Sequence, residues 1–227
     1  MLFQYQKFEA LDAAARDSIV PPVSPVQFAL RLPSWRSDNA GVTYVHRLQS
    51  GATVSGWQLE RCLVELLLCD LGQQVNISHR VDGCTAAMWR VRALDQMDPL
   101  AFKATLLKVP DNAEIGPESG EWLDAQSWSA QGKILMLGTE DGDALSKRAQ
   151  ERDWMPFRFQ KALAARFPEY LADGITVKLP ALDSAELCQV QFIVSWTAAD
   201  QSDQSDNSAC LAVDRQPEDI LHRAGCS

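Results

Sequence analysis

The stretch from Ser55 to Gly72 constrains the fold more than any other part of the sequence. Apolar side chains dominate residues 57–71 and fall at positions that cover nearly the whole circumference of a helix. Ser55-Gly56-Trp57-Gln58 fits a capping box, and Gly72 stands where a helix C-cap is expected. A helix that is apolar on most sides is buried on several of them. The sequence therefore predicts a buried central helix over residues 55–71.

The segments around this helix favour β-strands joined by turns. A hairpin is predicted over residues 74–93, with a three-residue bulged turn at 81–83. That register pairs Val75 with Trp89 and Ile77 with Ala87, and so keeps apolar side chains on one face. Residues 134–137 are short and wholly apolar, which is typical of a strand covered on both faces. Further strands are predicted over 26–32, 42–48, 100–109, 175–179 and 189–196.

Helical signals appear at the start of the sequence and return in its second half. Residues 2–19 carry apolar side chains at helical spacing, and Asp141-Gly142-Asp143 is a helix start with an acidic N-cap. Pro156 occupies a favoured first helical position, so a second helical region is predicted over residues 142–172. A short helix is expected near Pro217. Because strands outnumber helices and the best hairpin is antiparallel, the sequence predicts an α+β fold built on a mostly antiparallel sheet.

Length and composition are those of an ordinary globular protein. The chain has 227 residues, of which 46% are hydrophobic and 22% charged, and this predicts a single globular domain over residues 1–227. Polar residues from Tyr5 to Glu9 interrupt any apolar export segment, and residues 63–71 are too few to span a bilayer. The expectation is a soluble, cytoplasmic protein with six reduced cysteines and no membrane partner.

The net charge of −9 disfavours binding to nucleic acid or anionic lipid over most of the surface. One basic region, residues 147–161, interleaves lysine and arginine with Trp154 and Phe157, a pattern that binds single-stranded nucleic acid in some proteins. A charged outer helix face is the preferred explanation, because Arg158 and Lys161 fall opposite the apolar stripe. Residues 200–208 form a polar tract that is expected to be flexible.

Three groups of residues invite a chemical interpretation, and none supports one. His79, Asp82 and Cys84 surround one turn, but the predicted register places His79 and Cys84 on opposite faces of the sheet. The triplet Cys210, His222 and Cys226 has no fourth zinc ligand nearby. The glycine-containing loop at 135–143 carries three carboxylates, which oppose a bound phosphate. The sequence therefore predicts no catalytic residue, no metal ligand and no cofactor.

The functional prediction rests on residues 110–131, a long acidic loop without lysine or arginine. Loops of this length in compact domains are functional or disordered. Trp122 and Trp128 either pin this loop onto its own core or leave an indole available to a partner. Tryptophan is a common interface anchor, and carboxylates steer a basic partner. We therefore expect a non-enzymatic protein-binding protein, such as a regulator, an assembly factor or an immunity-type inhibitor. The alternative is a small enzyme whose catalytic residues are remote in sequence. The predicted partner-binding residues are Trp122, Trp128, Glu118, Glu121 and Asp124.

Overall fold

The computed structural model describes residues 1–14, 16–164, 168–199 and 204–227, and β-strands are the most frequent regular structure among them. The strands are β1 (Phe8–Leu11), β2 (Ser18–Ile19), β3 (Val26–Leu32), β4 (Trp35–Arg36), β5 (Tyr44–Leu48), β6 (Thr53–Gln58), β7 (Cys62–Asp70), β8 (Gly83–Ala93), β9 (Leu100–Leu106), β10 (Glu114–Gly120), β11 (Leu123–Ala130), β12 (Lys133–Glu140), β13 (Glu169–Leu171), β14 (Gly174–Leu179) and β15 (Leu187–Ala198). The α-helices are α1 (Gly142–Glu151), α2 (Gln160–Leu163), α3 (Gln204–Val213) and α4 (Pro217–Ala224), and short 3₁₀ turns lie at Ser37–Asn39 and Phe157–Phe159.

Two antiparallel sheets stack face to face. The large sheet has nine strands in the order β1-β5-β6-β7-β8-β15-β12-β11-β10. The small sheet has the order β13-β14-β9-β3-β2, with β4 paired to β3. The inner faces of both sheets form one core, which includes Phe28, Trp57, Trp89, Phe102 and Phe192.

Helices cover part of the outer face of the large sheet. There α3 packs on β12 and β15, and α4 packs on β7. A second apolar core fills this interface and includes Leu67, Met88, Ala209, Val213 and Ile220. The large sheet is therefore buried on both faces near its centre.

The prediction of an α+β fold with a buried central helix at 55–71 is wrong. Those residues form the antiparallel pair β6 and β7, and Val54 faces Leu67 while Trp57 faces Val64. A strand covered on both faces is apolar at successive positions, so its pattern resembles that of a buried helix. The protein is mostly antiparallel β-sheet with short helices.

Two other local predictions are also wrong. Residues 2–19 hold β1 and β2 instead of a helix. In the predicted hairpin only the second strand exists, because β8 pairs with β7 and β15 and leaves a single bridge between Gln74 and Arg80. Trp89 consequently faces Leu66 and Val190. Ile77 is 101% exposed, on a loop outside the sheet.

Several predicted elements are confirmed. The expected strands at 26–32, 134–137, 175–179 and 189–196 lie within β3, β12, β14 and β15, and those at 42–48 and 100–109 contain β5 and β9. Asp141 caps α1, since its Oδ1 accepts a hydrogen bond from the Ala144 amide at 2.7 Å. The helix near Pro217 is α4, with proline in its first turn.

The predicted helical region is divided into more elements than expected, and the predicted acidic loop is more regular than expected. The region 142–172 contains α1, the turn at Phe157–Phe159, α2 and then strand β13. The predicted acidic loop at 110–131 is instead the edge hairpin β10–β11. Of the predicted flexible tract at 200–208, residues 200–203 lie outside the described residues, and α3 begins at Gln204.

A row of polar residues crosses the outer face of the large sheet. Strand pairing aligns Tyr44, Gly56, Glu65, Arg90 and Gln189 on five successive strands. Gly56 has no side chain, so the Tyr44 ring lies over it and the phenol donates a hydrogen bond to Glu65. Arg90 donates to Gln189 Oε1 at 2.9 Å. The row supplies hydrogen-bond partners for Glu65 and Arg90, whose charges are almost fully buried.

We expect Gly56→Ala to lower the free energy of unfolding by about 1–3 kcal/mol, because an added methyl group would overlap the Tyr44 ring. Gly41→Ala is the matched control, since a Cβ there meets nothing within 4 Å, and its effect should stay within about 0.5 kcal/mol. Urea denaturation measures both. Equal effects of the two substitutions would contradict the packing described here.

Candidate functional site

A cleft of about 340 Å³ opens on the outer face of the large sheet, beside the helical layer. The turn between β10 and β11, the end of β12, helix α1, strand β15 and the connection from α3 to α4 surround it. Its lining includes Trp122, Leu123, Thr139, Glu140, Ala144, Lys147, Arg148, Glu151, Asp153, Gln191, Ile193, Asp214, Arg215 and Glu218.

Helix α1 supplies one wall of the cleft, and the position of its N-cap determines which of its side chains face the cleft. The Asp141 cap fixes its first turn, and Ala144, Lys147, Arg148 and Glu151 follow at spacings of three and four residues. Side chains at those spacings lie on one face of a helix. The N-cap residue also connects α1 to the opposite wall of the cleft, because the Asp141 amide donates a hydrogen bond to the Trp122 carbonyl at 3.2 Å.

A buried ion network forms the floor. Arg148 Nη1 donates to Glu140 Oε2 at 2.7 Å, and Arg148 Nε donates to Asp153 Oδ2 at 3.3 Å. Burial raises the pKa of Glu140 above its usual range, although the Arg148 cation opposes that shift. Buried ion pairs are weak evidence for stability, whereas perturbed pKa values cluster at functional sites.

Gln191 lies beside this network on β15. Its Nε2 donates to the Arg215 carbonyl at 2.9 Å. Its Oε1 is buried and has no hydrogen-bond partner within the described part of the chain. A buried unpaired acceptor is costly, and each instance in a native protein calls for an explanation.

Trp122 forms the mouth of the cleft. The side chain is 38% exposed, and the Lys147 ammonium lies 5.1 Å from the centre of its ring. Its backbone φ of 72° is in the left-handed region, which is uncommon for a bulky residue and concentrates at functional sites. The turn therefore holds an indole in a strained and accessible position.

Of the five residues predicted to bind a partner, three are exposed and two are buried. Glu118 is exposed on β10, and Glu121 is exposed in the turn beside Trp122. Trp128 is 0% exposed, and its indole donates to the Ala172 carbonyl. Asp124 is buried, faces the inner side of the sheet and accepts a hydrogen bond from the Tyr170 phenol at 2.6 Å. Only Trp122, Glu118 and Glu121 are available at the surface.

The cleft residues Glu140, Arg148 and Gln191 were not predicted as site residues. One usable signal was present, because Gln189 and Gln191 are polar side chains at alternate positions of an apolar strand. Such a pair on a doubly covered strand indicates buried polar partners.

The other chemical candidates stay apart. The His79 ring pairs with Asn76 Oδ1 at 3.0 Å, whereas Cys84 is buried and donates to the Ala212 carbonyl. Burial raises the pKa of Cys84 to about 12. All six cysteines are free thiols. Across the described ranges, no group of three or more histidine, cysteine, aspartate or glutamate side chains is placed to hold a metal ion.

In the part of the chain that the structure describes, no helix is both long and apolar enough to cross a bilayer.

Comparison with known proteins gives a fold and no family. No protein-family model matches the sequence, and no curated protein matches it. A solved structure described as "Putative kojibiose phosphorylase from human microbiome" is similar, with a TM-score of 0.51 at 6% sequence identity. The similarity covers 96% of this chain and 30% of that one. At this identity the likeness shows the fold alone, and the chain spans less than a third of that structure.

We expect Arg148→Met to lower the free energy of unfolding by about 3–5 kcal/mol at pH 7–8, because Glu140 then stays buried without its cation. The folded-state pKa of Glu140 is already raised, and the substitution raises it further. Glu140 therefore takes up a proton more readily in the folded state, and the loss should shrink as the pH falls through that raised pKa.

Urea denaturation between pH 5 and pH 8 measures this dependence. The matched control is Arg158→Met, because Arg158 pairs with Glu186 at an exposed position and should lose only about 0–1 kcal/mol. Adding Glu140→Gln to Arg148→Met should remove most of the pH dependence. A loss that is independent of pH would contradict the role assigned to Glu140.

Proposed function

We propose that the protein is a non-enzymatic binding protein that holds a small molecule in the cleft between Trp122 and α1. The observation that carries this proposal is the composition of the cleft floor, where a buried ion network lies beside the unpaired Gln191 Oε1. Small-molecule sites are concavities of about 300–1,000 Å³ with a few convergent polar groups. The cleft lies within that range.

The position of the cleft supports the proposal. Its walls come from strands β12 and β15, from helix α1 and from the connection before α4, which are held together by Arg148 and Gln191. Groups supported by regular elements are better preorganised than groups on loops. The name of the structural neighbour makes carbohydrates a sensible first class of compounds to try.

We expect Glu151→Trp to abolish binding, because Glu151 is exposed on the cleft wall and an indole there would occupy the cleft. The matched control is Gln150→Trp, which places the same indole on the adjacent exposed position of α1 outside the cleft lining. The measurement is NMR of ¹⁵N-labelled protein titrated with a panel of neutral, cationic and anionic small molecules. The Trp122 indole N–H signal reports binding at the cleft.

The proposal requires at least one compound that shifts this signal in the native protein and in Gln150→Trp but not in Glu151→Trp. If no compound of any charge class does so, the cleft is not a binding site.

A second candidate function is protein binding at the tip of the acidic hairpin. The exposed Trp122 beside Glu118 and Glu121 favours it, since an accessible indole with flanking carboxylates suits a partner with a basic surface. The acidic edge has another explanation, because charges and Pro117 on an edge strand also prevent unwanted pairing with other strands. The hairpin is therefore the weaker of the two candidates.

We expect Trp122→Ala to change the free energy of unfolding by only about 0.5–1 kcal/mol, whereas Trp128→Ala should cost about 3–5 kcal/mol. If the hairpin binds a protein, Trp122→Ala should melt within about 4 °C of the native protein and lose the partner captured from native cell extract. A captured partner that binds Trp122→Ala unchanged would exclude the hairpin tip.

The alternative of a small enzyme draws on one observation, the raised pKa of Glu140 in the cleft floor. A carboxyl group with a raised pKa suits general acid catalysis. Here the Glu140 carboxylate is paired with Arg148, so binding is the better-supported function. A cytoplasmic location remains part of the proposal.

A further inference from the structure

The deepest cation of the cleft has almost no capacity left for an anionic ligand. Arg148 donates to Glu140 Oε2, to Asp153 Oδ2, and to the backbone carbonyls of Gln189 and Asp153. These bonds use four of the five N–H groups of a guanidinium. A phosphate or carboxylate entering the cleft would therefore find the central cation already neutralised by two carboxylates.

The deepest carboxylate is committed as well. Glu140 is paired with Arg148 at 2.7 Å, and both side chains are about nine-tenths buried. A cationic ligand would have to break that pair to reach the carboxylate, and separating a buried pair leaves one charge uncompensated. The floor therefore offers no free charge of either sign.

The unused group of the floor is a neutral acceptor. Gln191 lines the cleft, and its buried Oε1 has no hydrogen-bond partner among the described residues. An amide oxygen accepts a hydrogen bond from a hydroxyl group at no cost in charge desolvation. The matching ligand group is an uncharged donor.

The upper walls carry charged side chains of both signs. Glu151, Asp214 and Glu218 supply acceptors there, and Lys147 and Arg215 supply donors. Among the described residues, none of these five side chains forms an ion pair within the cleft. Mixed donors and acceptors suit a ligand that carries several hydroxyl groups, and the Trp122 indole offers an apolar surface to its carbon skeleton.

We infer that the cleft binds a neutral compound with several hydroxyl groups, of the sugar or polyol class, and that Gln191 accepts a hydrogen bond from one of these hydroxyls. The inference rests on the proposed small-molecule function of the same cleft. It adds the chemical class of the ligand and names the residue that recognises it.

Neutral sugars and their charged derivatives test the charge preference of the cleft, because each sugar and its derivatives share the same ring. Glucose, galactose and mannose are each titrated beside their amino and 6-phosphate derivatives, and the Trp122 indole signal and calorimetry give the affinities. At least one neutral sugar should bind about tenfold or more tightly than both of its charged derivatives.

Two variants test the role of Gln191. Gln191→Met removes the acceptor and should weaken binding of that sugar by about tenfold or more. Gln126→Met is the matched control, because Gln126 also has a buried unpaired Oε1 and an amide that donates to a backbone carbonyl, but lies on the inner face of the sheet outside the cleft. Its affinity should stay within about twofold. Melting curves confirm that both variants are folded.

The outcomes distinguish this inference from the proposed function. Tighter binding of an amino or phosphate derivative, abolished by Glu151→Trp, would overturn the ligand class while leaving the cleft as a binding site. Equal loss in Gln191→Met and Gln126→Met would overturn the role of Gln191. If no sugar and no charged derivative binds in the cleft, the inference fails, whereas the proposed function fails only if the wider panel of small molecules gives no binding either.

Discussion

Burial of the large sheet on both faces is the constraint on which the rest of the structure depends. Its central strands cannot alternate between apolar and polar side chains, so each polar side chain there needs a partner within the protein. Arg90 shows how this is met, because its guanidinium lies 4.4 Å from the Phe3 ring and 3.8 Å from the Trp154 ring. Burial lowers its pKa to about 10, and Gln189 with two backbone carbonyls accepts its hydrogen bonds.

The same constraint explains which parts of the fold could be predicted. Strands such as β3 and β14 carry short apolar patterns between turn residues, and those patterns were sufficient. The pair β6–β7 was mistaken for a helix because its doubly covered strands are apolar at successive positions, and Leu59-Glu60-Arg61 joins them without glycine or proline. The edge hairpin β10–β11 was missed for the opposite reason, since β10 is exposed along nearly its whole length and so carries no apolar pattern.

The candidate site was predictable only where it depends on neighbours in sequence. The Asp141 cap is local, and it sets the face of α1 that carries Arg148. The partners of that face come from β12, β15 and the segment before α4, which long-range strand pairing brings together. Gln191 has no local signature beyond its polarity, so its neighbourhood follows from the topology of the sheet. Trp122 and Trp128 illustrate the limit, since only five residues lie between a surface indole and a fully buried one.

The ion network of the floor joins helix α1 to strands β12 and β15. Arg148 on α1 bonds Glu140 at the end of β12 and the carbonyl of Gln189 on β15, while Gln191 bonds the carbonyl of Arg215 before α4. A ligand that contacts this floor therefore contacts groups that fix α1 and the α3–α4 connection to the sheet. Binding energy gained there stabilises those junctions, because a ligand favours the state whose groups it contacts. Within the floor, the Gln191 oxygen is where a ligand has most to add, since it is a buried acceptor without a hydrogen-bond partner among the described residues.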